Sequence, residues 1–517
     1  KAALRERIRR WTLTRRSRHH ELDDLARRHG SQACALLEPR DPATRHLWLF
    51  LNHWVDESVD GLEDEDLGHE QSLERISCQR HGALQEVWAE KGLDGIMELC
   101  RWSNAPSVVG CHMAKVCTDV REAADFVQNV IDWKSDEQRE KREQCISGFL
   151  ASLDMPERDA VLVELLARLA ASEDASVRLL FCAPFDGGTW QHVNQQSKRF
   201  KQRYWEEVVP RWGRHDAAET ATFVDELLQV KRPRAVFHGA HIGWQHVDSP
   251  RLVRLLTEVA TSGAEPTDHF RIEGHYVSTA LEALEQRGDT SRDDLARLEF
   301  LFINALDHSE HGPRNLEAQL AESPALFMHA LALCYRRRDG GEDPTEWQTP
   351  NPDNREAIAS AACALLARAS RIPGTRPDGS IDLEKLLEWL EQVRTLAREH
   401  GRAEIGDQMI GQLLSHCSPG ADGIWPCEPV REAIDGLGSQ DIANGIIVGK
   451  LNGRGATLRV AGGAPEHELA EQYRSWSREV AFEHPFIAGM LEQIGASYDQ
   501  EAEWWDAHER VNERVRH

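Results

Sequence analysis

The chain has 517 residues, with 61 Lys and Arg against 86 Asp and Glu, and a formal net charge of −25. Charge of this sign and size excludes a general nucleic-acid or anionic-membrane binder, because both attractions need a cationic surface. A hydrophobic content of 41%, with 16 Trp, argues against disorder and supplies material for a packed core.

The predicted elements are helical from the first residues. Through Arg40 there are 11 basic residues against 5 acidic, among them Arg9-Arg10 and Arg15-Arg16, with Ile8, Trp11 and Leu13 interleaved. Residues 1–45 are therefore read as a basic linker helix region, the one place where nucleic acid, or the acidic face of another domain, fits as a partner. Lys1-Ala2-Ala3-Leu4-Arg5 has no signal-peptide core, and the missing initiator Met suggests part of a longer protein. Residues 46–185 are expected to form an N-terminal helical array, interrupted by the acidic, solvated run Asp56–Asp66. Asp186-Gly187-Gly188-Thr189 marks the expected junction, and residues 186–517 a C-terminal helical-repeat array.

Start and stop chemistry recurs along the chain. Ser249-Pro250, Ser323-Pro324 and Asn351-Pro352 each place a capping side chain before a proline, and Ser291/Asp294 and Asp154/Glu157 have capping-box spacing. Gly288 and Gly401 are expected to close helices. Helices pair as 266–287 with 291–306, 313–321 with 323–336, and 381–400 with 402–415, in units of about 30–45 residues typical of helical solenoids. Near the end Ile487, Leu491, Ile494, Tyr498 and Trp505 form one stripe of a helix starting near 484. The fold class expected is all-α, an irregular α-solenoid of some twenty helices in stacked pairs, without substantial sheet.

Catalytic patterns do not emerge. Gly445-Ile-Ile-Val-Gly449-Lys450-Leu451 has three residues between its glycines where a phosphate loop needs four, and Leu where Ser or Thr should hold magnesium; it reads as a helix ending in glycine turns. Asp378-Gly-Ser380-Ile-Asp382-Leu-Glu384 misses the calcium-loop register and reads as a turn followed by a helix start. There is no HExxH and no GxSxG; the histidines at 238–246 and 308–311, and Cys78, His81, Cys111, His112 and Cys117, are the only clusters worth weighing for metal. No cofactor or metal is expected. The 11 cysteines are odd in number, scattered and without CxxC, which fits a reducing cytosol. No apolar run approaches the roughly 20 residues of a membrane span.

Binding candidates come from aromatics, arginines and loops. Arg203, Tyr204, Trp205 and Trp212 concentrate rings with guanidinium, as Trp504 does beside Trp505. Trp504 and Trp505 point about 100° apart on a helix, so both cannot face the core. The turn-rich loop 337–352 contributes Arg337, Arg338 and Trp347, and the glycine-rich loop 452–465 contributes Arg454.

The stretches 203–215 (RYWEEVVPRWGRH), 295–309 (LARLEFLFINALDHS), 322–344 (ESPALFMHALALCYRRRDGGEDP), 401–414 (GRAEIGDQMIGQLL) and 470–503 resemble the C-terminal helical region of very large bacterial proteins encoded in antiphage defence loci. In that group an N-terminal effector, often followed by a STAND-type nucleotide switch, precedes a helical-repeat sensor. The resemblance implies a cytoplasmic sensor that binds a phage or host protein and signals to an effector outside this chain, with no reaction of its own. It supplies no catalytic residue. Two alternatives stand beside it: a scaffold that forms homo-oligomers, and an enzyme whose metal is held by the 238–246 and 307–311 histidines.

Overall fold

The computed structural model describes residues 2–12, 24–55, 69–133, 138–211, 215–263, 265, 272–306, 309, 311–347, 355–453 and 462–516. Among these there are 25 α-helices and no strand; one isolated bridge pairs Thr375 with Ile381. The fold is all-α, with helices packing mainly on partners one to three places away in sequence. Nearest-neighbour packing of this kind is what lets a helical array extend without a single central core.

Two compact units emerge, Lys1–His246 with Glu265–His269, and Val247–Ala264 with Phe270–His517. The junction expected at 185–186 falls within the first unit, where Asp186 accepts from Thr189 N and starts the helix Gly187–Asn194.

Most local signals become the helix ends they describe. Ser323 accepts from Leu326 N and Ser291 from Asp294 N, while Gly288 adopts φ 68° to close Gly274–Arg287. Two differ. Asp248, not Ser249, caps the helix Ser249–Thr261, because the aspartate reaches Arg251 N at 3.0 Å; Asp154 makes no side-chain cap bond. Asn351 lies outside the described residues, as does Asp56–Asp66. The expected turn at 378–384 forms, with Asp378 accepting from Ser380 N and Asp382 capping Leu383–Glu399.

The glycines of 445–449 do something other than end a helix. They lie inside Gln440–Asn452, where a Cβ on Gly445 would sit 2.0 Å from the Gln408 carbonyl oxygen and one on Gly411 would sit 2.1 Å from that of Ile442. Helices Ala403–Leu414 and Gln440–Asn452 thus meet backbone to backbone. The first unit repeats the device: a Cβ on Gly110 would be 1.9 Å from Cys145 O, and one on Gly148 1.9 Å from Ser107 O. Lys450 lies 4.3 Å from the ring centre of Trp425.

Candidate functional site

Among the described residues one group alone brings three metal-capable side chains together: Glu285, Glu299 and His311, with ligand atoms within 4.8 Å of one another. Glu299 comes from Arg292–Leu301, Glu285 from Gly274–Arg287, and His311 from the turn before Arg314–Glu322. The side chains of Glu299 and His311 are fully buried. Burying a carboxylate is costly unless its lone pairs are filled, and here they are. Glu299 accepts from Leu316 N (2.7 Å), Asn315 N (3.2 Å) and Asn315 Nδ2 (2.8 Å), capping the helix from outside it. Arg314 pairs with Glu285 at 2.6 Å and donates to His311 Nδ1 at 3.0 Å. Guanidinium can only donate, so Nδ1 accepts and Nε2 carries the proton toward Glu299, 3.3 Å away. Every group already has a partner, one of them a cation. The arrangement locks three helices together and does not await a metal.

The other histidine groups stay apart. His238 and His241 have ring centres 5.8 Å apart, and His241 Nδ1 faces His238 O at 2.6 Å; among the described residues no third ligand joins them. Cys78, His81, Cys111, His112 and Cys117 form no such group either. His112 is buried, and that burial, with Arg80, Lys115 and His81 nearby, pulls its pKa down to about 4.

The described part of the loop after Pro324–Cys334, residues 335–347, is anchored. Arg402, with a side chain fully buried, forms a bidentate pair with Asp343 (2.7 and 2.7 Å) and donates to Tyr335 O at 2.8 Å. Arg337 pairs with Asp339 and meets His400 Nδ1 at 3.2 Å; Arg338, mostly exposed, pairs with Glu404. Trp347 is tucked between His400, 4.5 Å away, and His329, which it stacks on at 6.2 Å. It is half-buried, packed against the core of the second unit.

Of the aromatic candidates, Tyr204 and Trp205 are each only 1% exposed and belong to the core of the first unit. Trp205 stands edge-on to Phe185, and Tyr204 stacks on Phe181 at 5.6 Å. Neither ring can reach a ligand while this core is closed. Arg232 holds the segment from below, donating to the carbonyls of Trp205 (2.9 Å) and Val208 (2.7 Å) at the helix end. Arg203 reaches solvent but is tied to Asp174 and Glu207. Trp504 is the exposed one, at 58%, with its ring parallel to His508 at 5.4 Å and perpendicular to Trp505 at 4.5 Å. The stripe beside it is buried from Ile487 through Tyr498. Trp212 and Arg454 lie outside the described residues.

The first unit also encloses a cavity of about 880 Å³ beside the helix Ala2–Thr12. Arg5, Arg7, Arg10 and Arg45 face it together with Trp11, Trp48 and Trp102, against two carboxylates, Glu6 and Glu98. Comparison with known protein families, curated proteins and solved structures finds no match. The chemistry of the chain has to be read from its own geometry. Sequence reading singled out the basic start but not the cavity, because Trp48, Glu98 and Trp102 come from other helices; nor did it find Glu299 and Arg402, whose neighbours in sequence give no sign that they are buried.

Proposed function

We propose that this chain is a protein-recognition module of a bacterial antiphage defence protein, binding a phage or host protein in the cytoplasm and signalling to an N-terminal effector. The observation that carries the reading is the Trp504–Trp505–His508 cluster: a large ring left 58% exposed, backed by two aromatic neighbours, on a helix whose other face is core. Exposed tryptophan with a firm aromatic backing is the composition of interface hot spots. The helical array supports the same reading, since stacked helices create extended surfaces for protein ligands. So does the resemblance of 203–215, 295–309, 322–344, 401–414 and 470–503 to defence-protein sensors. None of the machinery proposed is catalytic, and the chain serves as the receptor for a reaction performed elsewhere.

Co-expression with defined phage structural proteins, followed by co-purification, tests this. One partner should be enriched by the wild type and lost with Trp504→Ala, whose melting temperature should stay within the change of about 0.5 kcal/mol expected of an exposed site. Enrichment of none of them, or retention by the variant, overturns it. Self-association through the same cluster is the second reading, and light scattering on the wild type and Trp504→Ala separates the two.

A further inference from the structure

In the cavity beside Ala2–Thr12, cations and flat rings face an open space together. Its charge runs against the chain: four arginines face it and two carboxylates, in a molecule of net charge −25. Both carboxylates are already neutralised, Glu6 by Arg9 (2.8 Å) and Arg10 (2.9 Å), Glu98 by Lys91 (2.5 Å). Arg5 and Arg45 have partners in Glu38 and Glu86. Arg7 is exposed and has no ion-pair partner among the described residues. A guanidinium without an ion-pair partner beside paired ones has donors ready for an added anion.

The walls specify more than charge. Trp11 and Trp102 are each 57% exposed, and Arg101 lies 5.4 Å from the Trp102 ring centre. Trp48 has Arg9 over one face at 4.2 Å. Exposed indole faces reward a flat aromatic group, because every nucleobase has a π-face to stack. Size limits the choice further: 880 Å³ falls in the range of about 300–1,000 Å³ typical of small-molecule pockets. A nucleic-acid strand would have to bring many phosphates up to a strongly acidic protein, whereas a free nucleotide brings only its own. An acidic peptide supplies charge without a base to stack.

We propose that this cavity binds a free nucleoside polyphosphate, its base against the exposed tryptophan faces and its phosphates met by Arg7 and the arginines around it. The site lies in the first unit and involves binding only. It goes beyond the protein-recognition reading and does not depend on it.

The experiment is a fluorescence-anisotropy titration of the whole chain with methylanthraniloyl-ATP and methylanthraniloyl-GTP. Saturable binding is expected for at least one, weakened roughly tenfold or more by Trp102→Ala and by Arg7→Glu, and unchanged in Trp504→Ala. Because Arg7 is exposed and has no ion-pair partner among the described residues, Arg7→Glu should fold normally by circular dichroism, and it decides the matter if Trp102→Ala does not. The unlabelled nucleotide should displace the probe better than inorganic triphosphate, a short oligothymidylate or an acidic peptide. Absence of saturable binding, binding indifferent to Arg7→Glu, or stronger displacement by the oligonucleotide or the peptide would each overturn the proposal. Failure here leaves the Trp504 test untouched.

Discussion

Two arginines, one in each unit, do opposite work. In the second, Arg402 is sunk into the core and both of its forks are filled by Asp343 and backbone carbonyls, and Arg314 closes the Glu285–Glu299–His311 group. In the first, Arg7 stands exposed, lining a cavity, with no ion-pair partner among the described residues. The residue type is the same; the saturation of its donors is what differs. A filled guanidinium holds structure together, and an unfilled one is available to a ligand.

The comparison can be broken most forcefully at Arg402. Removing one member of a buried charged pair leaves the other without compensation, so Arg402→Ala should cost about 3–5 kcal/mol. Urea denaturation followed by tryptophan fluorescence reads this; a loss below about 1 kcal/mol would mean that the pair behaves as a surface bridge.

Histidines extend the contrast to pH. His112 in the first unit has a folded pKa depressed to about 4 from 6.5, so the unfolded chain binds more protons below 6.5. Its stabilising contribution is complete above that pH and is lost as pH falls toward 4, a change of up to about 3 kcal/mol. His467 in the second unit has the opposite sign: hydrogen bonding to Asp499, then to Asp506, raises its pKa. Its contribution is full below 6.5 and lost as pH rises through the raised value. Melting curves between these limits should lose their acid slope with His112→Gln, while His467→Gln should flatten a weaker slope on the alkaline side. A wild type whose stability does not fall between pH 6.5 and about 4 would remove the distinction.

Packing gives a smaller effect. Gly445→Ala forces a methyl to within 2.0 Å of Gln408 O and should cost about 1–3 kcal/mol. Gly436, in Glu428–Leu437 with nothing within 4 Å of its absent Cβ, should gain up to about 1 kcal/mol on the same change. Thermal melting of the pair checks both signs. The smallest effect is at Arg7: Arg7→Ala should change stability by no more than about 0.5 kcal/mol, and a larger loss would show that its guanidinium is structural after all.

Much of the fold was legible and much of the chemistry was not. Ser291, Ser323, Asp382 and Gly288 could be placed because a cap involves residues within three or four positions, and the 487–498 stripe because its spacing is that of one helix face. Tyr204 and Trp205 looked like a binding surface because composition alone does not say which side of a helix is covered; Phe181 and Phe185 cover them. Gly445 and Gly449 looked like a helix end, since a glycine needed for close backbone approach is indistinguishable in sequence from one needed for a turn.

By itself the sequence determined an all-helical chain, most of its helix boundaries and the side of its last helix that is buried, all consequences of chemistry within a turn or two of backbone. Tertiary structure decided which charges are spent and which are free: Asp343 meets Arg402 across 59 positions, Glu299 meets Leu316 N across 17, and the arginines of the first helix share a cavity with Trp102. Hydrogen-bond saturation depends on partners distant in sequence, and no local pattern encodes them.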